Sequence, residues 1–188
     1  MKKGFTLIEL LVVIAILAVL ATAVVLVLNP AELLKQGRDS TRVSDMAALN
    51  GAVSLWVADV LNASGNWTAV SNCTATTTKP GGATGCTYAS STVTTGSGWV
   101  NLNFNLIAAG SPLSKLPLDP NNGSTNCSFT SPAMCQYAWS ASSTVGGYEL
   151  NASMESVKFN RGGTGDVTSK DGGTTTTIYE VGSALSQF

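Results

Sequence analysis

The chain has 188 residues, with ten Lys or Arg against eleven Asp or Glu, four cysteines and no histidine. A near-neutral balance without a basic cluster argues against a nucleic-acid footprint, and the lack of histidine removes the commonest catalytic base and a principal zinc ligand. The length suits an anchor followed by one small globular domain.

The first element is an apolar segment. Lys2, Lys3 and Gly4 lead into it, Glu9 is its one charge, and from Leu10 to Leu28 only Thr22 is polar. A helix rising about 1.5 Å per residue crosses the hydrocarbon with roughly twenty such residues. Lys2 and Lys3 predict a cytoplasmic N-terminus with everything after Leu28 outside. A secretory signal cleaved after Ala21-Thr22-Ala23 would share the Lys-Lys start, but its core would hold Glu9 and the apolar run continues to Leu28. A plain anchor explains the length and leaves Glu9 without a partner. A carboxylate at mid-membrane costs about 2.5 to 3.5 kcal/mol, less near the helix end, which makes Glu9 a functional candidate.

Gly4-Phe5-Thr6-Leu7-Ile8-Glu9 after a short basic leader resembles the processing site of type IV prepilins and pseudopilins. The resemblance implies cleavage between Gly4 and Phe5 by prepilin peptidase and N-methylation of Phe5. It also implies an assembly role for Glu9, whose carboxylate would attract the Phe5 amine of a neighbouring subunit. Residues four apart share a helix face, so both groups lie on one stripe. The implied organisation is a leader at 1–4, a transmembrane and assembly helix at 5–29, an amphipathic second half at 30–62 and an extracytoplasmic β-rich domain at 63–188.

Asn29-Pro30-Ala31-Glu32 reads as a new helix start, with Asn29 as cap, Pro30 in the first helical position and Glu32 placed for a capping box. Pro30 also forbids the hydrogen bond to residue 26, so the helix is kinked or unwound there, or simply bounded. Pilin families use a proline in this neighbourhood for a segment that melts and stretches. From Pro30 to Asn62 the pattern stays helical, and Val43, Ala47, Val53, Val57 and Val60 or Leu61 predict its buried stripe. Lys35, Arg38, Asp39, Arg42 and Asp45 lie opposite and read as a solvated face or a subunit contact. Asn62-Ala63-Ser64-Gly65 predicts the stop.

Cys73, Cys86, Cys127 and Cys135 fall in the segment assigned to the outside, where disulfides are the expected state. Three connectivities exist; Cys73 with Cys86 and Cys127 with Cys135 are favoured because each closes a short polar loop. The spacings and the missing histidine make zinc a poor alternative.

Between Val60 and Ser114 the only charge is Lys79, and the Ser, Thr, Gly and Asn there read as surface loop. Alternation over Val100 to Leu106 predicts a half-buried strand or irregular backbone. Leu116-Pro117-Leu118-Asp119-Pro120 predicts a turn. Cleaner strands are Gln136 to Ala141 and Tyr148 to Glu155, the latter with Leu150, Ala152 and Met154 on one face and Glu149, Asn151, Ser153 and Glu155 on the other; Thr176 to Val181 follows. The expected fold is α+β: a long N-terminal helix, transmembrane in its first half and amphipathic in its second, packed on a small antiparallel sheet. This arrangement resembles the pilin fold.

No catalytic constellation is legible, whether phosphate-binding glycine loop or nucleophile elbow. Asp119 with Asn121, and Asp166 with Asp171, could hold calcium, yet both loops read equally well as turns. Asn-x-Ser/Thr triplets begin at Asn62, Asn66, Asn72, Asn122, Asn126 and Asn151, as chance would produce in so Asn-, Ser- and Thr-rich a chain. The expected function is a structural subunit of an extracellular type IV pilus. The alternatives are a major pseudopilin of a type II secretion system, forming a short periplasmic rod, and a monomeric membrane-anchored binding protein. The implied partners are further copies of the chain, the peptidase, the assembly machinery and, before assembly, membrane lipid.

Overall fold

The structure is a computed structural model, and it describes residues 4–61, 68–80, 85–125, 127, 134–142 and 147–185. Lys2 and Lys3, the helix stop at Asn62 to Gly65, and the triplets at Asn62, Asn66 and Asn126 lie outside the described residues. Two compact units are present, Met1–Leu34 and Lys35–Phe188.

Helix α1 spans Leu7–Leu28 and buries none of its residues. Apart from Glu9 and Thr22 it is apolar all round, as suits a lipid-facing or polymer-core helix. Thr22 satisfies its hydroxyl within the helix by donating to the Ala18 carbonyl at 2.9 Å. The helix ends at Asn29 with φ +40°, a left-handed conformation that asparagine tolerates better than most residues. Helix α2, Pro30–Trp56, begins at once. The Asn29 carbonyl accepts from the Glu32 and Leu33 amides at 3.0 and 3.3 Å, so Asn29 closes one helix and opens the next. A π-helical turn, Val57–Leu61, continues α2.

The sheet has five strands in the order β2-β1-β3-β4-β5, with β1 Val70–Cys73, β2 Thr87–Tyr88, β3 Tyr137–Ser142, β4 Gly147–Ala152 and β5 Tyr179–Gly182. It is antiparallel from β1 through β5, and the two-residue β2 adds a parallel edge beside β1, which makes the sheet mixed. The strands expected in the C-terminal half are present as β3, β4 and β5, but β4 ends at Ala152, short of Glu155, and β5 begins only at Tyr179.

One sheet face carries Tyr137, Trp139 and Ala141 of β3 opposite Ala152, Leu150 and Tyr148 of β4. These residues form one core with Met46, Leu49, Ala52, Val53 and Trp56 of α2. The buried residues of α2 are Asp39, Arg42, Met46, Leu49, Ala52, Val53 and Trp56; apart from Ala52, which adjoins Val53, they follow a 3-4-3-4-3 spacing along one helical face. Of the stripe read from the sequence, Val53 is buried and Val43, Val57, Val60 and Leu61 are half-buried against the same core, whereas Ala47 is exposed. Met46, Leu49 and Trp56 fill the centre of that face, where large side chains remove the most apolar area from water.

The stretch before Ser114 is also more than surface loop. Trp99, Val100, Phe104 and Ile107 are buried in the core. Alternation there produces no strand: an isolated bridge joins Thr95 to Asn103, and Phe104–Leu106 is a 3₁₀ turn. Indole N–H groups pin this irregular backbone, with Trp56 donating to the Asn103 carbonyl, Trp99 to the Pro117 carbonyl and Trp139 to the Asn101 side chain, all at 2.9 to 3.0 Å. Gly98 is forced by packing, for a Cβ there would stand 2.2 Å from the Val93 carbonyl oxygen and 2.4 Å from Leu116.

Candidate functional site

Glu9 sits in the first turn of α1, where the sequence Thr6-x-x-Glu9 forms a capping box. The Glu9 carboxylate accepts from the Thr6 amide and hydroxyl, both at 2.8 Å, and the Thr6 hydroxyl accepts from the Glu9 amide at 3.3 Å. An acid in the first turn also meets the positive end of the helix dipole. Glu9 thus has a local partner that the sequence reading missed, although the Ser/Thr-x-x-Glu spacing announces it. Phe5 is 87% exposed, and Phe5, Ile8, Glu9, Val12 and Val13 line one shallow groove along the helix. Phe5 precedes the first helical residue, so it and Glu9 border one groove without lying on one helical stripe.

The profile of the prokaryotic N-terminal methylation motif matches residues 1–25. This is the prepilin signature of type IV pilins and pseudopilins. It supports a type IV pilin-like or pseudopilin precursor, and it implies processing by prepilin peptidase and entry into pilus-type assembly machinery. A prepilin signature with one helix long and apolar enough to cross a membrane fits a membrane-anchored precursor. Comparison with curated proteins and with solved structures gave no match.

In the second unit, Asp39 and Arg42 of α2 belong to a buried network, which corrects their reading as part of a solvated face, while Lys35, Arg38 and Asp45 are half-buried. Arg42 and Asp39 are both 0% exposed. The Arg42 guanidinium grips Asp119 with two hydrogen bonds, Nε to Oδ2 at 2.7 Å and Nη2 to Oδ1 at 2.8 Å. It also reaches Asp39 Oδ1 at 2.7 Å and Glu155 Oε1 at 2.5 Å. Asp39 in turn accepts from the Glu155 and Ser156 amides and the Ser156 hydroxyl, and Arg38 holds the outer side of Glu155. Burial opposes the charge on Arg42, but its carboxylate partners more than offset this and raise its pKa. Burial likewise opposes the charge on Glu155, yet Arg38 and Arg42 hold it below the usual range. The network fastens α2 to the Pro117–Pro120 turn and to the chain after β4, and such a saturated cluster specifies one docking geometry.

Both cysteine pairs are joined, Cys73 to Cys86 and Cys127 to Cys135, with Cα separations of 5.8 and 4.8 Å. Cys127 Sγ lies 3.1 Å from Arg42 Nη2 and 3.3 Å from Glu155 Oε1, so the second disulfide abuts the charge network.

Of the calcium candidates, Asp119 is engaged by Arg42 and by the Asn121 amide. Asp166 accepts from the Gly162 and Ser169 amides and the Ser169 hydroxyl, which hold it down at about 2. Asp171 accepts from the Gly173 and Glu180 amides. Asp166 and Asp171 line one open groove of about 370 Å³, with Glu180 at its wall; Asp119 and Asn121 do not line it.

Proposed function

We propose that the chain is a structural subunit of an extracellular type IV pilus, assembled through α1 after cleavage between Gly4 and Phe5. The observation that carries the reading is the condition of α1. Its 22 residues bury no side chain within the chain, and so continuous an apolar surface demands lipid before assembly and other copies of itself afterwards. The methylation motif at its start supports the same route. Cleavage before Phe5 would leave a mature N-terminal amine at the groove that Phe5 and Glu9 border, and a neighbour's Glu9 would neutralise it inside the polymer. A helical filament follows from such head-to-tail contacts because they do not close on themselves. The disulfide-bonded, sheet-based unit would then face outward.

The test is electron microscopy of native-host cells with and without Gly4→Leu. Long surface fibres that vanish in the variant, while precursor accumulates in the membrane, are the expected result. Short rods confined to the periplasm would assign the chain to a pseudopilus, and membrane-bound chain without polymer would overturn the filament reading.

A further inference from the structure

We propose that a hard divalent cation binds on the sheet face opposite the core, between Glu149 and Asn151 of β4 and Glu180 of β5. The register makes the cluster: Asn151 pairs with Glu180, and Glu149 lies two residues along the same face opposite Gly182. Gly182 adds no side chain, and a Cβ there would stand 2.1 Å from the Tyr148 carbonyl oxygen. The sequence reading placed Glu149, Asn151, Ser153 and Glu155 on the face opposite Leu150, Ala152 and Met154; that face too is buried, with Glu149 and Asn151 at 0% and Glu180 at 1% exposure.

Two observations point to a ligand. Among the described residues, both polar atoms of the Asn151 side chain lack a hydrogen-bond partner, and so does Oε1 of Glu180. Buried polar atoms are almost always paired, since leaving one unsatisfied costs about 1 to 3 kcal/mol. Glu180 Oε2, by contrast, is fixed by the Thr175 amide at 2.8 Å, and Gly173 packs so closely on this carboxylate that a Cβ would stand 2.0 Å from Oε2. The carboxylate is therefore held in place with one oxygen open.

The chemistry of the set selects the occupant. Glu149 and Glu180 are two buried carboxylates on one sheet face, and a cation between them offsets their mutual repulsion. With the Asn151 amide oxygen they form an all-oxygen donor set, the preference of calcium, magnesium and manganese. Lys79 is the basic residue that feels Glu149, and Asp171 faces Glu180 from the preceding loop. Of the three ligands, Glu180 also lines the open groove walled by Asp166, Lys170 and Asp171.

The experiment titrates Ca²⁺ and Mn²⁺ into the full-length, oxidised chain in detergent after chelator treatment, reading the thermal midpoint and the number of ions bound. One ion per chain and a rise of about 4 °C or more at saturation are expected. Glu180→Gln should lose the rise, whereas Asp166→Asn, on the groove wall but hydrogen-bonded within its own loop, should keep it. Asn151→Asp adds a charge to the donor set and should tighten binding about tenfold; this keeps the test valid if Glu180→Gln does not fold. Absence of any shift, an ion retained in Glu180→Gln, loss of the ion in Asp166→Asn, or affinity unchanged or lowered in Asn151→Asp would each overturn the site.

Discussion

Removing the Arg42 guanidinium would leave Asp39, Asp119 and Glu155 inside the fold with only the partly exposed Arg38 to offset them. Breaking a buried ion cluster by taking out one partner costs about 3 to 5 kcal/mol, because the remaining charges stay uncompensated. Denaturant unfolding of the full chain should show a loss of that size for Arg42→Ala. A loss below about 1 kcal/mol, the scale of a surface pair, would restore the solvated-face reading. At the other unit, Glu9 has two separable roles. Its hydrogen bonds to Thr6 need only an oxygen acceptor, so Glu9→Gln keeps the cap, while attraction of a neighbouring Phe5 amine needs the charge. Sheared filament yield should fall sharply in both Glu9→Gln and Glu9→Leu with cleavage intact; normal yield from Glu9→Gln would leave Glu9 a capping residue only.

At the scale of the elements, the inward face of α2 is set by Met46, Leu49 and Trp56. Leu49→Ala should cost about 2 to 5 kcal/mol by opening a cavity, whereas Ala47→Ser should stay within about 0.5 kcal/mol. Comparable effects in unfolding titrations of the two variants would mean that the helix is turned about its axis, with Ala47 inward. The contrast shows how legibility varies along the chain. The apolar run of α1 needs no tertiary information, and β3 and β4 reveal themselves by alternation. In α2 Val43, Val53 and Val57 mark the right face, while Ala47 is off it and Met46, Leu49 and Trp56 at its centre escape the aliphatic pattern. Asp39 and Arg42 are three apart, a spacing that looks the same on a wet surface. Their other partners, Asp119 and Glu155, are far off in sequence, so nothing local marks the pair as buried. Trp99 and Phe104 lie among Gly, Ser and Asn residues whose backbone is organised by indole hydrogen bonds instead of strand pairing. On β4 the alternation is real, but polar residues turned from one core are buried on the other side as well.

For the whole molecule, the carboxylates divide into two groups that pull stability in opposite directions with pH. Glu155 and Asp166 are lowered, from ordinary values of 4.5 and 3.8, the latter to about 2. Their contribution is complete above those ordinary values and is lost as pH falls through the lowered ones. Burial raises Asp45, Asp171 and Glu180, the last from 4.5 to about 7. The folded chain holds these protons more tightly, so stability grows as pH falls from about 7 toward 4.5 and then levels. Without divalent cations the thermal midpoint should therefore peak at about pH 4 to 5, and Glu180→Gln should flatten the alkaline side. A midpoint that climbs steadily to pH 8 would contradict the burial of these groups.

The proposed function depends above all on α1 becoming the core of a polymer after its leader is removed. The most direct measurement is the intact mass and N-terminal sequence of the chain recovered from filaments sheared off the native host. The predicted result is a chain that begins at Phe5, one methyl group heavier than its sequence, with no free thiol. A chain absent from the sheared fraction and found in the membrane starting at Met1, or outside the cell starting at Val24, would contradict it.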